Sequence, residues 1–483
     1  MNFRLIIKNL GIVLMVGAAI MLPSLVVSLI CSEGDAMSFL ITIGIMVPVG
    51  FCMFRIPVRN RNIYTRDGFA IASLAWILLS LFGALPFFLS GCIPSFVDAF
   101  FETVSGLSTT GSSILRDIES LPKGLLFWRS FTNWIGGMGV LVMMLAVLPA
   151  AGASTIQMMK AESPGPDPGK LVPKIGQSAK ILYIMYTALT FVLFIMLLAG
   201  GMPPYDSLVH ALSAAGTGGF SIKNLSVGEY NNVYYEIVIA VFMLIFGVNF
   251  SLHYQTLHGG FKNIFRDEEF RFYLFTIAGA VVLLTWNTCG NVYDNVWDSL
   301  RHSFFQTSSM ITTTGFSSTD FNLWPVFSKS ILVILMFIGG SAGSTAGGMK
   351  CVRFVLLFKT IKREVGRIIH PRSVYTVKYG GKTVDSSILS GITNYFFVYI
   401  IVFTVTLLII SLDGFDMVSN FTAAAAAIGN IGPGLGIVGP TGNYADYSAL
   451  SKIALSFTML FGRLEIYPML ILFAPTFWKR VNI

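Results

Sequence analysis

The sequence predicts an all-α integral membrane fold: four pseudo-repeats of helix, re-entrant pore loop and helix around a central pore, preceded by two extra N-terminal transmembrane helices. Three observations carry this. The 483 residues are 54% hydrophobic and only 12% charged, about half the charge of a soluble domain. Apolar stretches suited to about ten bilayer spans lie near 9–30, 37–54, 68–92, 131–150, 181–200, 236–256, 272–289, 330–349, 390–412 and 452–475. Four short glycine-centred segments recur between such stretches: Ser108-Thr109-Thr110-Gly111-Ser112, Gly216-Thr217-Gly218-Gly219-Phe220, Thr312-Thr313-Thr314-Gly315-Phe316 and Gly429-Asn430-Ile431-Gly432-Pro433.

The first stretch reads as a retained helix. Its apolar run is too long for a signal peptide, and no small-residue cleavage site follows Cys31-Ser32-Glu33-Gly34. With the second it forms an N-terminal addition over 1–66. Pore repeats are then expected over 67–170, 171–265, 266–375 (holding a gating loop) and 376–483. Ten alternating spans place 24 of the 32 Lys and Arg on one side, seven on the other, and Arg463 inside a helix. The largest basic group runs from Lys350 to Lys382. The positive-inside rule puts both termini in the cytoplasm, and one missed span would scramble the bias.

Each glycine segment ends a stretch too short to span. Irregular backbone at membrane depth is tolerated where it is buried or lines a wet cavity. The stretches before the glycines are expected to be half-membrane helices entering from outside. Their carboxyl ends point inward, where the helix dipole favours a cation. Glycine permits the turn that follows, and backbone carbonyls can replace the water shell of a small cation. Carbonyl contact explains why Gly218 and Ile431 can stand where Thr110 and Thr314 stand. Asp98, Asp206 and Asp298 open the first three pore helices and are read mainly as caps, secondarily as attractors of cations.

Glycines also recur in each second helix, at Gly136-Gly137, Gly247, Gly339-Gly340 and Gly462; helix packing alone can explain these. The run from Gly339 to Lys350 includes Gly339, Gly340, Gly343, Gly347 and Gly348. Each interior glycine weakens a helix by about 1 kcal/mol, so the segment is expected to unwind into a gate beneath the filter. A tightly packed small-residue helix is the plainer alternative. The spacing of a phosphate-binding loop is absent. Arg463 is the clearest charge within a span, and such charges are costly and usually functional. It is expected to face the pore, as an electrostatic barrier or by hydrogen-bonding the gate; a salt bridge with Glu465 or another buried carboxylate is the alternative.

Five scattered cysteines lack metal-ligand spacing. No nucleophile–histidine–acid set is evident, so no enzyme is expected. The net charge of +8 follows topology and does not point to nucleic acid. A membrane receptor or scaffold would leave the four glycine segments unexplained. A proton- or sodium-coupled symporter would need intramembrane carboxylates, for which Glu102 and Glu465 are candidates.

At these residues the chain resembles the Trk/Ktr/HKT superfamily of potassium transporters over essentially its whole length. Thr-Thr-Gly-Ser at 109–112, Thr-Gly-Gly-Phe-Ser at 217–221, Thr-Thr-Thr-Gly-Phe-Ser at 312–317 and Gly-Asn-Ile-Gly-Pro-Gly-Leu at 429–435 are similar to its four filter loops. The two extra N-terminal helices and the length resemble the TrkH/TrkG branch, the membrane subunits of Trk potassium uptake. The resemblance implies a four-fold pseudosymmetric pore, potassium as cargo with rubidium as analogue, a homodimer in the bacterial inner membrane, and a cytosolic TrkA-like ring of nucleotide-binding subunits. It implies filter positions at Thr110, Gly111, Gly218, Gly219, Thr314, Gly315, Ile431 and Gly432. Its gate maps onto Gly339, Gly340, Gly343, Gly347, Gly348 and Lys350, with Arg463. It implies no covalently bound cofactor and no metal besides potassium at the filter. In the plant branch, serine at the first filter glycine accompanies sodium preference; Gly111 here favours potassium.

Overall fold

The computed structural model describes residues 2–58, 65–139, 175–373 and 375–478. Six of its helices are long and apolar enough to cross a bilayer: Phe3–Cys31, Ala36–Phe54, Arg66–Leu89, Ala179–Ala199, Glu268–Thr288 and Ser386–Asp413. A seventh, Val233–Phe246 with Phe250–Leu257, is bent by 93°. The remaining expected spans are interrupted or only partly described. The stretch at 131–150 begins earlier, as a helix over Lys123–Gly137, and its part beyond 139 lies outside the described residues. The stretch at 330–349 is helical only to Ile338. The stretch at 452–475 breaks after Arg463 and resumes over Tyr467–Leu472.

The first two helices form a hairpin that turns through Ser32, in the left-handed region, and Gly34. Added methyls at Gly11 and Gly50 would each crowd the other's backbone, and absent side chains let helices in lipid approach closely. The hairpin shares one large apolar core with Trp76, Leu125 and Leu455, which ties it to the first short-helix unit and to the last.

Four short helices are enclosed by the long ones: Phe96–Leu107, Pro204–Gly216, Val296–Ile311 and Met417–Gly429. At 1.5 Å per residue they reach roughly 18–24 Å, short of the ~30 Å hydrocarbon thickness. They are buried through their carboxyl-terminal halves; Phe101, Val209, Phe305 and Ala423 are each at most 1% exposed. Ser95, Asn295 and Asp416 cap three of them by accepting a backbone N–H, and the other begins at Pro203-Pro204. Asp98, Asp206 and Asp298 therefore sit within the first turn and not at the caps, which corrects the sequence expectation. They bind Lys452 Nζ at 2.7 Å, Tyr230 Oη at 2.7 Å and Arg301 Nη2 at 3.8 Å respectively.

Candidate ion-conduction site

The four enclosed helices end in the same way. Thr109, Thr217, Thr313 and Asn430 adopt left-handed conformations, with φ of 56°, 53°, 55° and 54°. The next residue in each case donates its N–H five residues back: Thr110 to Ser105, Gly218 to Ser213, Thr314 to Ser309 and Ile431 to Ala426, at 2.8–3.0 Å. The left-handed residue itself donates three residues back. This bond pair is the Schellman motif, which normally places glycine at the left-handed position. A β-branched threonine there is an outlier costing about 1–3 kcal/mol. Three such threonines in register mark a backbone shape held for a purpose other than stability.

One residue further on, Gly111, Gly219, Gly315 and Gly432 also have positive φ, of 84°, 69°, 82° and 100°. Their lack of a side chain lets the segments meet. A methyl at Gly111 would overlap the Gly218 carbonyl oxygen, one at Gly219 that of Thr314, one at Gly315 that of Ile431, and one at Gly432 that of Thr110. These contacts run first to second, second to third, third to fourth and fourth to first. They close a ring in which the oxygens of Thr110, Gly218, Thr314 and Ile431 alternate with the four glycines. All eight sequence-singled residues are thus brought together.

Side chains brace the ring. Asn430 Nδ2 donates to Thr110 Oγ1 at 3.0 Å and to the Met459 carbonyl at 2.9 Å. Ser112 Oγ and Tyr444 Oη both donate to the Gly432 carbonyl, at 3.1 and 2.9 Å. Ser309 Oγ donates to the Phe316 carbonyl at 2.6 Å. A cleft opens on one side of the ring, bordered by all four glycines and reaching Arg116 and Lys223. Those cations are matched by Asp446 at 2.5 Å and Glu119 at 2.8 Å. The hydrogen bond from Lys223 holds the Glu119 carboxyl below its ordinary value, and Glu119 raises that of Lys223.

The loop 339–350 lies against the other side. It is non-helical, with Gly339, Gly343, Gly348 and Lys350 at positive φ, as the glycine content predicts. Gly347 N donates to Thr313 Oγ1 at 2.6 Å, and a methyl at Gly347 would crowd the Gly429 carbonyl. The loop is tied to the bent helix through Ser341 N to the Gly247 carbonyl at 2.9 Å and Phe250 N to the Gly343 carbonyl at 3.0 Å. Cys351 N closes it onto the Gly340 carbonyl at 2.9 Å, and Lys350 Nζ folds back on the Ala346 carbonyl.

Arg463 joins the last inner helix to this loop. Its Nη1 donates to the Thr345 carbonyl at 2.9 Å, while Nη2 donates to the carbonyls of Gly137, at 2.6 Å, and Gly136. Its partners among these are carbonyls; Glu465 instead pairs with Arg353, whose guanidinium lies 3.9 Å from the Tyr395 ring centroid. Glu102 is likewise engaged, with Arg129 at 2.6 Å.

The inner-helix glycines serve close packing. Methyls at Gly136 and Gly462 would collide with the Leu107 and Ile428 carbonyls, at the ends of the first and fourth short helices.

Sequence reasoning missed two groups. The left-handed residues Thr109, Thr217 and Thr313 carry no local signal, because threonine disfavours that conformation. Glu269 is the other. This buried carboxylate accepts from both Ala342 N and Val352 N, at 2.7 and 3.0 Å, and so clasps both shoulders of the loop. Its place near the start of an outer helix, among Glu268 and the flanking charges, disguised it as surface. Among the described residues no cluster of three metal-ligating side chains occurs.

The comparisons with known proteins agree with this architecture. Residues 39–480 match the TrkH family, described as cation transport protein. The chain is 39% identical to the Trk system potassium uptake protein TrkH of Salmonella typhimurium, over 99% of this chain and 100% of that protein. It is 34% identical to TrkG of Escherichia coli, over 99% of each. The crystal structure of the potassium transporter TrkH from Vibrio parahaemolyticus superposes with a TM-score of 0.89 at 36% identity, covering 99% of this chain and 100% of that one. This multi-pass membrane protein therefore belongs to the TrkH family of cation transport proteins.

Proposed function

We propose that this protein takes up potassium across the bacterial cytoplasmic membrane through a filter made by the ring of four segments. The observation that carries the reading is the closed alternation of four glycines with the carbonyls of Thr110, Gly218, Thr314 and Ile431. A ring of backbone carbonyls that replaces an ion's water shell suits a weakly hydrated monovalent cation better than a strongly hydrated one. The TrkH and TrkG relatives are named for potassium uptake, which fits the same ion.

In this reading the chain is four pore repeats, over 67–170, 171–265, 266–375 and 376–483, behind a two-helix addition, with both termini cytoplasmic. The loop 339–350 is the gate, held closed by Arg463. A homodimer and a cytosolic TrkA-like regulatory ring complete the assembly. The coupled-symporter alternative is the weaker one, because Glu102 and Glu465 are each paired with an arginine.

The test is uptake into proteoliposomes holding this chain alone, comparing potassium, rubidium and sodium under an imposed voltage. Potassium and rubidium should exceed sodium, and Gly111→Ser should narrow the difference. Equal uptake of all three ions by the unaltered protein would reject the filter. Uptake driven by an imposed proton or sodium gradient at zero voltage would favour the symporter.

A further inference from the structure

Neighbouring quarters of the ring are joined just beyond their glycines, and the joints are not alike. Second to third, Gly228 N donates to the Ser317 carbonyl at 3.0 Å. Third to fourth, Asn322 exchanges two bonds with Gly436, at 3.2 and 3.0 Å. Fourth to first, Ser112 Oγ meets the Gly432 carbonyl at 3.1 Å. Ion pairs accompany two of these joints, Arg301 with Glu236 at 3.3 Å between second and third, and Lys452 with Asp98 at 2.7 Å and Arg116 with Asp446 at 2.5 Å between fourth and first.

The first-to-second joint differs: it runs through an arginine whose carboxylate partner lies in the same first quarter, and both are almost fully buried. Glu102, on the first short helix, and Arg129, on the helix that follows it, have side chains 0% and 2% exposed. Glu102 accepts from Ser113 Oγ and Ile114 N, each at 3.0 Å, on the strand leaving Gly111. Arg129 Nε donates to Glu102 Oε1 at 2.6 Å, and its Nη1 donates to the Ser221 carbonyl at 2.7 Å, on the strand leaving Gly219. The guanidinium carbon also sits 3.6 Å from the Phe220 ring centroid. His210 Nε2 lies 3.1 Å from Ser221 Oγ and anchors the same strand from behind.

Burying two charges is costly, and Asn322 with Gly436 connects the third and fourth strands by neutral bonds. Charge-assisted bonds are shorter and stiffer than neutral ones, and an arginine fork against an aromatic face fixes direction as well as distance. We propose that the Glu102–Arg129 pair is a strap that sets the spacing of the first and second segments, and through it the discrimination of potassium from sodium. Sodium is the smaller ion, so its coordination needs the carbonyls to draw inward. A stiff strap on two adjacent quarters resists that movement. Glu102 and Arg129 are positioning residues in this scheme, acting through the Gly111 and Gly219 strands. The inference rests on the ring being a filter.

The experiment measures the ratio of rubidium to sodium uptake by full-length protein in proteoliposomes, for wild type, E102Q, R129K and the double variant E102Q/R129Q. Lysine keeps the charge but cannot serve Glu102 and the Ser221 carbonyl together. The ratio should fall about tenfold in each variant, the scale of one lost charge-assisted bond. The double variant removes both charges together, so it carries the test should a single variant fail to fold. A double variant that is monodisperse, melts near wild type and still shows the lowered ratio separates selectivity from folding. Folded variants with the wild-type ratio would overturn the strap alone. A wild type that does not favour rubidium over sodium would instead defeat the filter reading beneath it.

Discussion

At the residue scale, each quarter of the ring sets two left-handed positions in close succession, a threonine or asparagine and, two residues later, a glycine. Gly111, Gly219, Gly315 and Gly432 stand at positive φ against a neighbour's carbonyl, and glycine is the residue such places require. Thr109, Thr217 and Thr313 adopt the left-handed region against their own preference, so only the surrounding structure reveals them. Thr313 gains a specific return: its hydroxyl accepts from Gly347 N of the loop. Replacing it with valine keeps the shape and leaves that N–H unpaired, at a cost of about 1–3 kcal/mol if the N–H stays buried. With the loop as the proposed gate, uptake by the chain alone should rise, because this bond holds the loop against the ring. Arg463→Gln removes a charge that contacts three carbonyls and should raise it further. Rubidium-86 influx into proteoliposomes reads both, and influx at or below wild type in both variants would count against the loop as a gate.

Among the elements, what composition resolves is where apolar chain begins and ends, not where it bends. The stretch at 236–256 is apolar throughout, yet it turns by 93° between Phe246 and Phe250. Gly247 there fits against Tyr273 Oη, and Asn249 caps the following helix by accepting from Ser251 N. Asparagine two residues after glycine inside an apolar run is a start signal for a new helix, and it was readable as one. The break at 339–350 was legible because five glycines weaken a helix by roughly 1 kcal/mol each. What holds the broken segment in place was not, since Glu269 comes from an element about 70 residues away in sequence. Glu269→Ala should release Ala342 N and Val352 N together. Hydrogen exchange over 339–352 should then speed up by about tenfold or more, the scale of losing hydrogen bonds to a charged acceptor. Glu269→Gln, which keeps an acceptor oxygen, should lie between. Unchanged exchange in the alanine variant would show that the ties to the bent helix and Arg463 suffice.

For the whole molecule, the helices suited to cross a bilayer leave apolar side chains exposed, and the helix Cys351–Ile369 instead mixes exposed apolar and basic residues. It emerges from the loop with Phe358, Ile361, Val365, Ile368 and Ile369 each at least half exposed. Lys359, Lys362, Arg363 and Arg367 lie between them in sequence. Lys359 is tied to Glu268 and to the Lys378 carbonyl, and Arg363 and Arg367 both meet Glu364. Two acids for four bases leave the helix with a positive field, joined covalently to the loop that contacts Thr313. A partner docked here could move the loop without touching the ring. Exchanging all four bases for glutamine should weaken capture of a TrkA-like ring, with little effect on the melting temperature, since exposed ion pairs contribute at most about 1 kcal/mol each. Capture by the unaltered chain should also decline between 0.1 and 1 M salt, because the screening length falls from about 10 to about 3 Å. Co-purification that is unchanged by the four substitutions and indifferent to salt would reject this helix as the docking surface. It would also direct the search for the partner's contact to another element.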